Sequence, residues 1–361
     1  MKIEDILTYN RIEKPSVDIM AQSKKVWDSI IKPLDSFGRF EEEICRVAAI
    51  QKTVNPDISK GIVLVYAADN GITHEGISQS DMSVTAVCTD GIADGNHSVS
   101  VMAKAQNMDL RVIDVGVHDK LHSMCVIDKK IRAASRNFAI EPAMTREEAM
   151  EALLVGIDQA HYCKEQGYGL MVVGEMGIGN TTTSTAVACA LLGLTPAKVT
   201  GRGAGLDSTG LKRKISVIEE ALERYDIGNM TDTDNTEELL KVLECVGGYD
   251  IAAMAGTYIG AAVCGIPVVL DGVISSVAAL LADRLVSGVK DYIIPSHMSR
   301  EPVMEAVLNV LELTPVINAD MALGEGTGGV MMAGMLKTAM EVYKHSARFD
   351  DKAMVAYEHL E

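Results

Sequence analysis

Two glutamates sit in glycine-rich loops where a carboxylate could reach a ligand. Glu175 lies in "GEMGIGNTT" (174–182) and Glu325 in "LGEGTGG" (323–329). Glycine lets the backbone adopt conformations closed to other residues and approach a ligand closely. Glu325 reads either as an acid placed favourably before a helix N-terminus or as a carboxylate brought to a ligand by a backbone stripped of side chains. In the first loop, Gly174, Gly177 and Gly179 precede Asn180, Thr181 and Thr182, any of which could cap the helix that follows. A tight turn with an ordinary cap is the competing structural reading. The functional one is an anion held at a helix N-terminus. The loop has no Lys after its last glycine, so it is not a nucleoside-triphosphate loop. It is not the dinucleotide fingerprint either: Thr182 stands where the third glycine belongs, and the acid about 20 residues further on is missing.

A second glycine loop, "TGRGAGLDSTGLKRK" (200–214), carries Gly201, Gly203 and Gly205, then Asp207 or Ser208 at a helix start, then Lys212, Arg213 and Lys214. Basic residues in the first turns oppose the helix dipole's preference for acids. A nearby anion would explain them, and so would simple solvation. Together the two loops are expected to form two sides of a phosphate cradle. The Met-rich stretch after Glu325 reads as core packing.

These loops need a scaffold. Continuous apolar runs at 61–68, 110–117, 168–174, 266–272 and 291–295 read as strands covered on both faces. They alternate with helical patterns at 145–166, 179–193, 208–226 and 249–265, which implies a doubly wound, mostly parallel α/β sheet. Ligands of such sheets bind beyond the carboxyl ends of the strands, so "ADNGITHEG", "GEMGIGNTT" and "DGVISS" are the loops to watch. Residues 1–55 and 296–361 are mostly helical and are expected to build a small helical domain from both chain ends around a central domain at 56–295.

The totals narrow the function. The chain has 361 residues, 48% hydrophobic, with a formal charge of −17, which argues against nucleic acid or an anionic membrane as partner. No apolar run has the roughly 18–20 residues of a membrane span, and the start lacks a signal-peptide pattern. Seven scattered cysteines without a C-x-x-C pair read as reduced thiols of a cytoplasmic protein. His118 and His122 share helical spacing without an accompanying Glu, so no metal centre is expected.

Several long motifs, in order, resemble the nicotinate-nucleotide–dimethylbenzimidazole phosphoribosyltransferase family: "KPLDSFGRFEE", "RNFAIEPAMTREEA", "GEMGIGNTTTSTA", "GRGAGLD", "VGGYDIAAMAGTYIGAA", "IPVVLDG" and "LGEGTGG". The resemblance implies a Rossmann-like large domain with a small helical one, a homodimer, and no metal or redox cofactor. It implies transfer of phosphoribose from nicotinate mononucleotide to a benzimidazole-type base, with inversion from β to α at the sugar carbon, for cobamide assembly. Glu325 matches the family's catalytic base and Glu175 a second acid of its site. Gly177, Gly179, Asn180, Thr181, Gly203, Gly205 and Lys214 would receive phosphate and ribose.

Two departures from the family's pattern stand out. Asp69-Asn70-Gly71 replaces Asp-His-Gly, and Val84-Thr85-Ala86-Val87 replaces Val-Thr-Xaa-Gln. With Val87 in the base pocket beside Ser78 and Thr85, a broad, apolar-tolerant range of bases is expected. The competing readings are an accessory or paralogous subunit acting on phenolic or other bases, and a Rossmann-type oxidoreductase, which the missing fingerprint disfavours.

Overall fold

The structure is a computed structural model that describes residues 12–231 and 235–359. Two helices, α1 (Val17–Asp28) and α2 (Arg39–Ile50), precede β1 (Gly61–Ala68). Then come α3 (Ser83–Ala93), α4 (Ser98–Ala105), β2 (Met108–Gly116), β3 (Val126–Asp128), α5 (Arg146–Glu165) and β4 (Leu170–Met176). After β4 the chain forms α6 (Asn180–Leu192), α7 (Pro196–Val199), α8 (Ser208–Arg224), α9 (Thr236–Val246) and α10 (Tyr249–Cys264). It closes with β5 (Val268–Val269), α11 (Val273–Leu285), β6 (Ile293–Ile294), α12 (Val303–Leu311) and α13 (Thr327–His345).

The six strands form one sheet in the order β3-β2-β1-β4-β5-β6, and every pairing is parallel. The alternating pleat divides each strand between two cores. Ile62, Leu64 and Tyr66 of β1 face one hydrophobic cluster, while Val63 and Val65 face the other. That is why "GIVLVYAA" is apolar throughout: both faces are covered. On the first face α5 and α10 pack almost backbone to backbone. A Cβ on Gly156 would meet the Ala253 carbonyl at 1.8 Å, and one on Gly256 the Leu153 carbonyl at 1.9 Å. The small residues of "YDIAAMAGTYIGAA" are therefore a packing requirement.

The second face is covered by α13, whose Val330, Met332, Ala333 and Leu336 join Val63, Val65, Val172 and Val269. Helices α1 and α2 belong to the same cluster. Trp27 stacks on Phe37 at 5.6 Å and meets Tyr343 edge-on at 5.2 Å, and the Ser23 hydroxyl donates to Tyr343 at 3.1 Å. Helices α1 and α13 are thus tied together and to the sheet, and the N-terminus of α13 is aimed at the carboxyl end of β4. Residues 1–11 of the expected N-terminal helical segment lie outside the described residues.

The expected elements fall close to the observed ones, with two corrections. The runs at 266–272 and 291–295 contract to two-residue strands. The edge strand β3 was not anticipated, because three residues with partly exposed side chains leave no apolar run. Among the described residues no helix is long and apolar enough to cross a membrane.

Candidate active site

The strand order reverses between β1 and β4, and at that switch point the loops after neighbouring strands diverge to open a crevice. Here it is a cleft of about 310 Å³ that takes in Glu175, Gly177, Gly179, Asn180, Thr181 and Glu325 on its walls. Gly203 and Ser78 line it as well. A roomier cavity of about 870 Å³ opens near Gly169 and Gly265, at the amino ends of β4 and β5. That end holds none of the glycine-rich loops that carry Glu175 and Glu325.

Glu175 lies on β4 opposite Tyr66 of β1 and is almost wholly buried. The Asn180 amide donates both to Glu175 Oε2 and, at 3.2 Å, to Asp250 Oδ2. One amide thus bridges two buried acids. Burial first, and the nearby Asp250 charge second, push Glu175 up to about 8. Asp250 rises to about 6, again mainly through burial. Next to them Asp69 is also raised to about 6 by burial, although it accepts from the His118 N–H at 2.8 Å and the Thr85 hydroxyl at 2.5 Å.

Glu325 comes from the loop before α13, which packs against the end of β4. Its φ of +63° places a non-glycine residue in the left-handed region, between Gly324 (φ +87°) and Gly326 (φ +97°). Such a bend is costly and persists only where surroundings enforce it. Asp271 enforces it. Its carboxylate accepts the N–H groups of Gly326 (3.0 Å), Gly328 (2.7 Å) and Gly329 (3.2 Å), capping α13 and satisfying donors the helix leaves free. Gly174 makes the approach possible, since a Cβ there would sit 2.3 Å from the Glu325 carbonyl. A Cβ on Gly324 would lie 2.7 Å from Glu175 Oε1, so the two acid-bearing loops meet edge to edge. The Glu325 carboxylate itself faces the start of α4, with Oε1 3.3 Å from His97 Nδ1 and Oε2 3.4 Å from the Val99 N–H.

The cradle lies on the far side of Asn180. Lys214 is fully buried, and its Nζ donates to Thr181 Oγ1 at 3.0 Å. Burial lowers it to about 8, opposed by the Glu301 charge. A buried ammonium with so few partners is costly unless an anion joins it. The basic cluster seen in the sequence splits: Lys212 is exposed, Arg213 donates to the Gly76 carbonyl at 3.1 Å, and only Lys214 turns inward. Glu301 accepts the Gly203 N–H at 3.0 Å, and its other oxygen is buried without a partner. Gly205 stands at the rim, where its carbonyl accepts from the Gln79 amide.

Three sequence expectations need correction. Asn180, Thr181 and Thr182 do not cap α6. The N-cap is Gly179 at φ +95°, and no side chain bonds there, because Asn180 is turned to the acids and Thr181 to Lys214. Thr85 does not project into the cleft. It is buried, donating to Asp69 and accepting the Ile178 N–H at 3.1 Å, so it braces the loop after β4. Val87 is 69% exposed and leaves the pocket to Cys88. One residue turns a helix by about 100°, and that step decides which side chain of α3 looks inward.

Asp250, Asp271, His297, Glu301 and His97 were given no role in the sequence reading, and Asp69 was noted only beside Asn70. Asp271 and Asp250 do sit inside "VLDG" and "GGYD", motifs noted for other reasons. His297 is buried beside the cleft, its Nδ1 3.1 Å from Ser296 Oγ, and burial lowers its pKa.

A parallel sheet with paired acids and a buried lysine at its switch point defines an α/β enzyme that handles a phosphorylated substrate. A family described as "Phosphoribosyltransferase" matches residues 12–355. The nicotinate-nucleotide–dimethylbenzimidazole phosphoribosyltransferase of Acetivibrio thermocellus is 40% identical over 331 residues, covering 92% of each chain. That of Geobacter sulfurreducens is 38% identical over 92% of this chain and 93% of its own. A crystal structure of CobT from Thermus thermophilus superposes with a TM-score of 0.87 at 36% identity, covering 94% of this chain and 99% of that one. The chain belongs to the nicotinate-nucleotide–dimethylbenzimidazole phosphoribosyltransferase family.

Proposed function

We propose that this protein moves phosphoribose from nicotinate mononucleotide to a benzimidazole-type base, releasing nicotinate and forming α-ribazole 5'-phosphate for the nucleotide loop of a cobamide. The observation that carries the reading is the meeting of Glu175 and Glu325 at one cleft beside the Lys214–Thr181 cradle.

The substrate's C1'–N bond joins the sugar to a pyridinium. When that bond breaks, its electron pair returns to the ring nitrogen, so nicotinate departs without a general acid. The incoming azole attacks C1' with one ring nitrogen and must lose the proton on the other. Glu325, on the loop packed against Gly174, takes that proton. Glu175 faces the positive charge that develops on the sugar. In the empty site at neutral pH it holds a proton, and the cationic pyridinium of the bound mononucleotide favours its ionised form. A single displacement gives inversion, so neither acid is a covalent nucleophile.

Lys214, Thr181 and the N-terminus of α6 receive the phosphate, with Gly179, Gly203 and Gly205 giving it room. The unpartnered oxygen of Glu301 suits a ribose hydroxyl, a donor that a carboxylate can accept. Ser78, Cys88 and the apolar wall around Met176 hold the base. The helices of residues 12–55 and 296–359 serve as the helical unit that closes the site around the central domain. The full reading is a homodimer in the cytoplasm with no nucleic-acid or membrane partner, consistent with the charge of −17 and seven free cysteines.

Incubating the protein with nicotinate mononucleotide and a panel of benzimidazoles, purines and phenols, with products identified by mass, tests this. Base-linked ribose phosphate and nicotinate in equal amounts are expected. Nicotinate released without any base adduct contradicts it.

A further inference from the structure

Proton transfer to Glu325 leaves unused the side of its carboxylate that faces α4. His97 occupies that side, with Nδ1 3.3 Å from Glu325 Oε1. The backbone of His97 is fixed by Ser100, and its ring packs against α3. The His97 N–H donates to Ser100 Oγ at 3.1 Å, and that hydroxyl donates back to the His97 carbonyl at 2.8 Å, which fixes the backbone at the start of α4. The ring itself lies against Gly91 of α3, where a Cβ would come within 2.4 Å of His97 Cδ2 and 2.9 Å of Nε2. Only glycine leaves room for the ring in that position. Glu325 is the more enclosed partner, its side chain 12% exposed against 29% for His97. The Val99 N–H reaches the other carboxylate oxygen at 3.4 Å, so α4 meets each oxygen of Glu325 with one group.

We propose that His97 is a positioning residue for Glu325, holding its carboxylate in the orientation that receives the proton of the incoming base. The inference rests on the reading of Glu325 as the general base. An ionised carboxylate can only accept hydrogen bonds, so Nδ1 carries the hydrogen and donates to Oε1. Nε2 is then the ring's acceptor, on the side that lies over Gly91. During transfer the N–H bond of the base breaks and an O–H bond forms on Glu325, while His97 makes and breaks no covalent bond. Its contribution is to remove the rotational freedom of a carboxylate carried on a left-handed, glycine-flanked bend.

The test compares His97→Ala, His97→Asn, Glu325→Gln and the double variant with the unaltered protein, measuring kcat and KM for nicotinate mononucleotide at saturating base. Asn places an amide N–H near the position of Nδ1. His97→Ala should lower kcat by about 10- to 100-fold, the range for groups that orient a reacting ligand, with KM for the mononucleotide unchanged. His97→Asn should recover most of that loss. Adding His97→Ala to Glu325→Gln should cost nothing further, because the histidine acts only through the carboxylate. If the alanine variant melts well below the unaltered protein, His97→Gln, whose amide reaches towards the Nε2 position, replaces it as the variant lacking the bond.

A kcat for His97→Ala within about twofold of the unaltered protein overturns the inference. So do losses that multiply in the double variant, and so does His97→Asn as impaired as His97→Ala. Full turnover by Glu325→Gln removes the general-base reading and this inference with it. An inactive Glu325→Gln beside a fully active His97→Ala removes this inference alone.

Discussion

Glu175→Gln tests whether a functional acid is held at the expense of the fold. In the folded protein burial raises Glu175 from 4.5 to about 8, whereas in the unfolded chain it titrates normally. Between those values the folded state binds the extra proton, so its stability falls as pH rises from about 4.5 to about 8 and levels off beyond. One pKa unit corresponds to about 1.36 kcal/mol. At pH 7 roughly 2.5 units have been traversed, a destabilisation of about 3 kcal/mol, reaching about 4–5 kcal/mol above pH 8. Glutamine has no such linkage, and its carbonyl can still accept the Asn180 amide that now bonds Glu175. With an unfolding entropy near about 2.1 cal/mol/K per residue, each kcal/mol moves Tm by about 1.3 °C in a chain of this size. The variant should therefore melt about 4 °C above the unaltered protein at pH 7 and within about 1 °C of it at pH 5. Thermal denaturation in matched buffers from pH 5 to 9 reads the difference directly, because groups common to both proteins cancel. The same variant should lose turnover while keeping its affinity for the mononucleotide. A Tm difference that stays constant across this range refutes the reasoning, because then Glu175 does not carry the buried proton.

Other substitutions follow from the same geometry. Glu325→Gln should lower turnover by about 10²–10⁴-fold, the usual contribution of a general base, and leave mononucleotide binding intact by calorimetry; near-normal turnover removes its role. Lys214→Ala should weaken the mononucleotide more than the nucleoside lacking phosphate, by about 1.5–3 kcal/mol, and equal weakening means Lys214 does not touch phosphate. Burial lowers Lys214 to about 8, so its charge is present below that pH and lost above it, and the affinity of the unaltered protein for the mononucleotide should decline as pH rises through about 8. Val87→Gln, at an exposed position, should not change base selection, whereas Cys88→Gln on the cleft wall should narrow it towards nitrogenous bases. Competition among 5,6-dimethylbenzimidazole, adenine and p-cresol measures both, and a shift in the Val87 variant alone puts the pocket on the other face of α3.

The strands and the glycine-rich loops of the cleft were legible in the sequence for one physical reason. A sheet buried on both faces demands continuous apolar runs, and loops that approach a ligand demand glycine. "GIVLVYAA" and "GEMGIGN" obey those demands locally. Long helices were legible for a similar reason, since their periodicity is a local property. The two-residue strands β5 and β6 were overdrawn because an apolar run continues past the last ladder bond. What local pattern could not reveal was which acids converge. Asp271 lies far before Gly326 in the chain, yet one capping contact joins it to the bend that carries Glu325. His97 and Glu325 are separated by 228 positions. Val87 was placed in the pocket by its match to a family Gln, and that match does not say which face α3 turns to the cleft.

The configuration of the product tests the central claim most directly. Nicotinate mononucleotide and 5,6-dimethylbenzimidazole are incubated with the protein and, in parallel, with the Glu325→Gln variant. The anomeric proton of the product is then followed by NMR as nicotinate appears. The account predicts the α anomer alone, formed in step with nicotinate, with no nicotinate released in the absence of base and formation slower by about a hundredfold or more in the variant. A β-configured product, or nicotinate and ribose 5-phosphate appearing without base, would contradict it.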